Sequence, residues 1–118
     1  MKKNINGIEY DTKLSTKLFT YDNGFIARRY SYKGQDLIDR YYYEELHQTP
    51  SGEFFFYATG GKLTQYARPV QDDPRILCPS TFYHDIYPKT QSEVAAWLKK
   101  HFYYDPEAEI IIEKILQK

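Results

Sequence analysis

A chain of 118 residues is long enough to bury a core without a metal or disulfide staple, and its 16 basic and 16 acidic side chains cancel. That balance argues against an acidic DNA mimic and against a basic protein that coats DNA. The single cysteine, Cys78, excludes an intrachain disulfide, and no apolar run approaches the ~20 residues of a membrane span.

Composition departs from the ordinary in one respect: 13 Tyr against 7 Phe and 1 Trp. A Tyr ring has an apolar body and a polar tip, so it can stay wet on one side and serve at a surface.

The first ten residues, MKKNINGIEY, contain two lysines. Asn4, Asn6, Gly7 and Glu9 interrupt any apolar signal core, which predicts a cytoplasmic protein. Asn6-Gly7 is a tight-turn signal between short apolar pieces, and Asp11-Thr12 starts a turn or short helix. KLFTY (17–21) reads as a strand closed by Asn23-Gly24, and FIARRYSY (25–32) as another.

The segment DRYYYEELHQTPSGEFFFYATGG (39–61) carries the clearest strand signal. Thr49-Pro50-Ser51-Gly52 suits a type I turn with a glycine bulge, a three-residue hairpin loop. Thr49 then faces Glu53, and the ladder runs Gln48–Phe54, His47–Phe55, Leu46–Phe56 and Glu45–Tyr57. Alternation places Tyr42, Glu44, Leu46, Phe54, Phe56 and Ala58 on a core face. It places Tyr41, Tyr43, Glu45, His47, Phe55 and Tyr57 on a face that touches something else.

Residues 66–79 are polar and proline-rich, a loop. TFYHDIY (81–87) is a further strand. Thr90-Gln91-Ser92-Glu93 is a capping box, with a helix stripe of Val94, Trp97, Leu98 and His101. Asp105-Pro106 opens a second helix, with an acceptor at the cap and proline at the first position; its stripe is Ala108, Ile111, Ile112 and Ile115. The expected fold is one α+β domain over 1–118. It is an antiparallel sheet of about four strands, with a central hairpin at 37–60, packed by two C-terminal helices at about 90–102 and 106–117.

No catalytic or metal site is expected, and no cofactor. Ser80, His84 and Asp85 spell a triad, but in a strand Ser80 and His84 lie ~13 Å apart and His84 and Asp85 point to opposite faces. Glu44 and Glu45 fail to share a site for the same reason. Cys78 with His84, and His47 or His101 added, lacks the close cysteine pairs of structural zinc. ATGGKLTQ (58–65) lacks the spacing of a phosphate loop, since its glycines are adjacent and Leu63 follows Lys62.

ARRYSYK (27–33) interleaves Arg28, Arg29 and Lys33 with Tyr30 and Tyr32. That mixture suits phosphates and bases, and equally a protein interface, where Tyr and Arg are over-represented at hot spots. Balanced overall charge favours protein contact.

Three stretches resemble a family of small proteins carried on prophages and other mobile elements of Gram-positive bacteria. They are NGIEYDT (6–12), EELHQTPSGEFFFYATGGKLTQYAR (44–68) and IYPKTQSEVAAWLKKH (86–101). Thr59 stands where relatives often carry an acidic residue before the double glycine. Some proteins of this kind inhibit CRISPR effectors, Cas9 among them. The residues by themselves read as a non-enzymatic binding module, and the resemblance implies an anti-CRISPR protein in the cytoplasm of a bacterial host, binding Cas9 or its guide RNA complex. Its expected contact residues are Tyr41, Tyr43, Phe55 and Tyr57, with Arg28, Arg29 and Lys62 at the rim. The alternative is a small nucleic-acid-binding protein using the same rings and basic residues. No membrane partner is expected, and an exposed aromatic face also suits a homodimer.

Overall fold

The computed structural model describes residues 1–24, 41–60, 64–66 and 83–117. Asn6 and Gly7 both take positive φ, 53° and 81°, the turn geometry whose twist suits a two-residue hairpin loop. They join β1 (Lys2–Ile5) to β2 (Ile8–Asp11), antiparallel with Ile5 opposite Ile8. Asp11 ends the strand: its side chain accepts from the Lys13 N–H at 2.8 Å and its carbonyl from the Ser15 N–H at 3.0 Å, a local bond pattern that bends the chain.

The chain then enters a second sheet of four antiparallel strands ordered β3-β4-β5-β6. These are β3 (Thr16–Asp22), β4 (Tyr42–Gln48), β5 (Phe54–Gly60) and β6 (Tyr83–Lys89). Two helices follow, α1 (Gln91–His101) and α2 (Pro106–Leu116). The α+β class, the central position of the hairpin and both helices agree with the sequence reading, the helix ends to within about a residue. The separate β1–β2 sheet is additional. The strand expected at 25–32 and the hairpin's first residues, 37–40, lie outside the described residues.

The hairpin forms in the expected register, with Gln48 opposite Phe54, His47 opposite Phe55, Leu46 opposite Phe56 and Glu45 opposite Tyr57. The turn closes through Gly52 N–H to the Thr49 carbonyl at 3.0 Å and Thr49 N–H to the Glu53 carbonyl at 2.8 Å. Gly52 sits at φ 102°, a conformation that side chains with a Cβ rarely adopt. At the far end Gly60 is needed for a different reason: a Cβ there would collide with Thr64, which packs back against the strand end.

One face of this sheet meets the helices. Leu46, Phe54, Phe56 and Ala58 pack with Tyr66, Val94, Trp97, Leu98 and Ala108 in a buried cluster. On β3 a bulge leaves Leu18 without a partner between Lys17 and Phe19, so that consecutive residues Leu18 and Phe19 both pack on this core. The capping box of α1 is complete, with Thr90 Oγ accepting from the Glu93 N–H at 3.1 Å and Glu93 accepting from the Thr90 N–H at 3.0 Å. Asp105 caps α2 at 2.9 Å to the Glu107 N–H, with proline in the first turn. Helix α2 is shallowly docked: Ala108 is buried, Ile111, Ile112 and Ile115 only partly so, and Ile110 is 52% exposed.

The other face corrects an expectation. Phe55, read as a surface contact residue, is 0% exposed. It belongs to a second buried cluster with Tyr10 and Ile86, against which Ile5, Ile8 and Tyr57 pack. The Tyr10 ring meets Phe55 edge-on, with centroids 5.4 Å apart. A large apolar ring facing water is costly, and the β1–β2 hairpin removes that cost by covering it. Lys3 of β1 ties this cover to the edge strand β6 through a 2.9 Å ion pair with Asp85.

Phe55→Ala is therefore expected to destabilise the protein by about 3–5 kcal/mol, read from urea denaturation. A surface position would show less than about 0.5 kcal/mol, and that result would return Phe55 to the outside.

Candidate functional site

Register across four strands sorts the outer face into rows. One row is Asp22, Tyr43, Thr59 and His84; the next is Thr20, Glu45, Tyr57 and Ile86. A third, containing Lys17, His47 and Phe55, runs towards the turn. The β1–β2 hairpin covers the Phe55 end, while Tyr43 and Tyr57 stay half-buried and Asp22, Thr20 and His84 are exposed.

Polar bonds hold the rings in the first two rows, where Thr59 and Ile86 are buried. The Tyr43 hydroxyl donates to Glu45 Oε2 at 2.7 Å. Burial first, and the Glu45 bond and charge next, hold the Tyr43 phenol well above its usual pKa, so it remains a donor. Tyr57 stacks on His84 with centroids 5.6 Å apart, and their polar atoms meet at 3.2 Å. Tyr41, just before β4, is half-buried, and burial and then the Asp22 charge raise its phenol pKa. The structure thus brings Tyr41, Tyr43 and Tyr57 towards one face and removes Phe55 from it. Arg28, Arg29 and Lys62 lie outside the described residues.

Sequence reasoning missed a chain of bonds beside these rows. His47 is 2% exposed; its Nδ1 meets Ser15 Oγ at 2.8 Å and its Nε2 meets Glu45 Oε1 at 2.8 Å. The ring lies flat on Phe55, with centroids 5.0 Å apart and planes 15° from parallel. Ser15, His47 and Glu45 have the residue types of a nucleophilic relay. Through these bonds the imidazole joins the turn before β3 to strand β4. The alternation of β4 placed Glu45 and His47 together; only the tertiary fold reveals Ser15.

Of the triad spelled by the sequence, His84 stacks on Tyr57 while the buried Asp85 takes Lys3, so the two serve separate partners. Ser80 and Cys78 lie outside the described residues. Among the described residues no group of three or more His, Cys, Asp or Glu side chains is placed to hold a metal ion. No described helix is long and apolar enough to cross a membrane.

On the helix side a second polar arrangement was also missed. Glu44, on the core face as expected, is 4% exposed. It accepts from the Trp97 indole N–H at 2.8 Å and from the Tyr66 hydroxyl. Burial, and then the hydrogen bond and charge of Glu44, push the Tyr66 phenol pKa far up. Tyr42 beside it is pushed up to about 12 by burial, with Tyr21 and Glu44 contributing. His101 stacks on Tyr21 at 3.7 Å; burial lowers its pKa, and the nearby Glu44 opposes that shift without reversing it.

Comparison with family models, curated proteins and solved structures returned no match.

Glu45 supplies a pH test of the outer-face bonds. Its partial burial favours the neutral form, but hydrogen bonds from His47 and Tyr43, with Lys17 nearby, outweigh this and hold its pKa below the ordinary 4.5. A carboxyl depressed in the folded state adds stability above its unfolded pKa and loses it as pH falls through the folded value. Glu45→Gln is expected to lower the denaturation midpoint at pH 7 and to approach the parent protein below about pH 4. A difference that stays constant with pH would remove Glu45 from this role.

Proposed function

We propose that this chain is a non-enzymatic binding protein that acts by docking its outer sheet face on another protein, and that Cas9 or its guide RNA complex is that partner. The identity of the partner is supported by the resemblance of the three quoted stretches to small mobile-element proteins. The mode of action is supported by one observation: Tyr43 and Tyr57 stand half-buried on neighbouring strands, each already held by a polar bond. Rings fixed before binding lose little conformational freedom on contact, and Tyr is enriched among residues that dominate interface energy.

Charge favours a protein over nucleic acid. Among the described residues, the acids beside these rings are Asp22 and Glu45, which repel phosphates and attract the Lys and Arg of a basic groove. A nucleic-acid-binding effector necessarily presents such grooves. Lys17 is the described basic residue near Glu45, and it faces the covered end of the sheet.

Purified protein is to be titrated with Cas9, Cas9 bound to guide RNA, free RNA and duplex DNA over a salt series. Binding to a Cas9 species, shallower in salt than a multi-phosphate contact, is expected. Tyr43→Ala and Tyr57→Ala should each weaken it by about 2 kcal/mol, roughly 30-fold. Tyr103→Ala, at a residue 75% exposed on the remote turn between the helices, should leave affinity within about threefold. Binding confined to free nucleic acid, or unaffected by the two outer-face substitutions, would overturn the proposal.

A further inference from the structure

The helix side of the sheet holds an open pocket of about 520 Å³ lined by Glu44, Phe56, Tyr66, Tyr87, Lys89 and Trp97. Its walls are aromatic: Phe56 and Trp97 are in contact at 5.0 Å between centroids, as are Tyr66 and Tyr87. Glu44, 4% exposed, is part of its lining. At the mouth Gln65, Glu93 and Ala96 are exposed, the first two polar.

Two features point to what such a pocket accepts. Glu44 is held by neutral donors, the Trp97 indole and the Tyr66 phenol, and no cation pairs with it among the described residues. Two donors leave about two of the roughly four acceptor positions of a carboxylate unused. A buried carboxyl without a counter-charge is costly, and a cation placed beside it recovers part of that cost. The second feature is a cation already at the wall. Lys89 Nζ lies 5.0 Å from the centre of the Phe56 ring, and is steered there by Glu93 at 3.8 Å. Ring faces attract organic cations through their quadrupoles, most strongly when water is excluded.

We infer that the Glu44 pocket is a binding site for an organic cation, the guanidinium or ammonium group of an Arg or Lys side chain, with Lys89 as its resident competitor. The entering group would lie between the Tyr66–Tyr87 and Phe56–Trp97 pairs and take the unused acceptor positions of Glu44. The site is on the opposite face from Tyr43 and Tyr57 and does not rest on the function proposed above.

Trp97 is the sole tryptophan, so its indole N–H gives one isolated NMR signal that reports directly on the Glu44 bond. That signal is to be followed while the protein is titrated with acetyl-arginine amide, acetyl-lysine amide and the neutral acetyl-norleucine amide. A saturable shift is expected with one or both cations and none with norleucine; the tighter cation identifies the preferred group. Lys89→Gln should tighten binding about threefold by removing the competitor. Ala96→Lys, a change at the exposed mouth that leaves the core intact, should weaken it by a similar factor. Glu44→Gln, where it folds, should abolish the shift. No saturable shift with either cation, an equal shift with norleucine, or indifference to both Lys89→Gln and Ala96→Lys would overturn the inference.

Discussion

Everything in the sheet depends on the register of one hairpin. Thr49 opposite Glu53 puts Leu46, Phe56 and Ala58 against the helices and Glu45, His47 and Tyr57 on the other side. A slip of one residue would invert one strand against the other, turning either Glu45 and Tyr43 towards α1 or Phe56 away from it. The turn prevents this by local means. Pro50 and Gly52 suit its shape, and Glu53 accepts from both the Thr49 and Ser51 hydroxyls, so the loop is closed by side chains as well as backbone.

The same register gives the sheet two unlike interiors. The helix-side core is large but contains a carboxyl, Glu44, which joins β4 to Tyr66 and to Trp97 of α1. The second core is small, centred on Phe55, and exists because the β1–β2 hairpin lies over it. His47 connects that core to the rows of Tyr43 and Tyr57, since it stacks on Phe55 while bonding Ser15 and Glu45. Burial of Phe55 and the orientation of Tyr43 are thus linked through Glu45, which accepts from Tyr43 as well. Stability and surface presentation share these residues, so the rings expected to meet a partner stand on a rigid base.

How much of this was legible in the sequence follows from the range of each interaction. The hairpin, its bulge and the capping box depend on residues within about five positions of one another, and such signals are written in consecutive letters. The division of 41–58 into two faces followed from alternation alone. What alternation does not tell is what covers each face. Phe55 read as a contact residue because nothing local announced that Asn6-Gly7 would fold a separate hairpin over it. The Ser15–His47 bond spans 32 positions and the Trp97–Glu44 bond 53; no spacing rule links residues so far apart. A glutamate on an otherwise apolar face was the one available hint, since a carboxyl in that place requires donors from elsewhere.

The half-buried tyrosines of the outer face, and not the prominent ones elsewhere, are the ones proposed to meet the partner. Tyr103 and Tyr104 provide an internal control, being 75% and 76% exposed at the turn between the helices. Hydroxyl-radical footprinting of the protein, alone and with Cas9 bound to guide RNA, reads every tyrosine in one experiment. Lowered oxidation at Tyr41, Tyr43 and Tyr57, with Tyr103 and Tyr104 unchanged, is the predicted result. Protection confined to Tyr103 and Tyr104, or no change at any tyrosine, would contradict it.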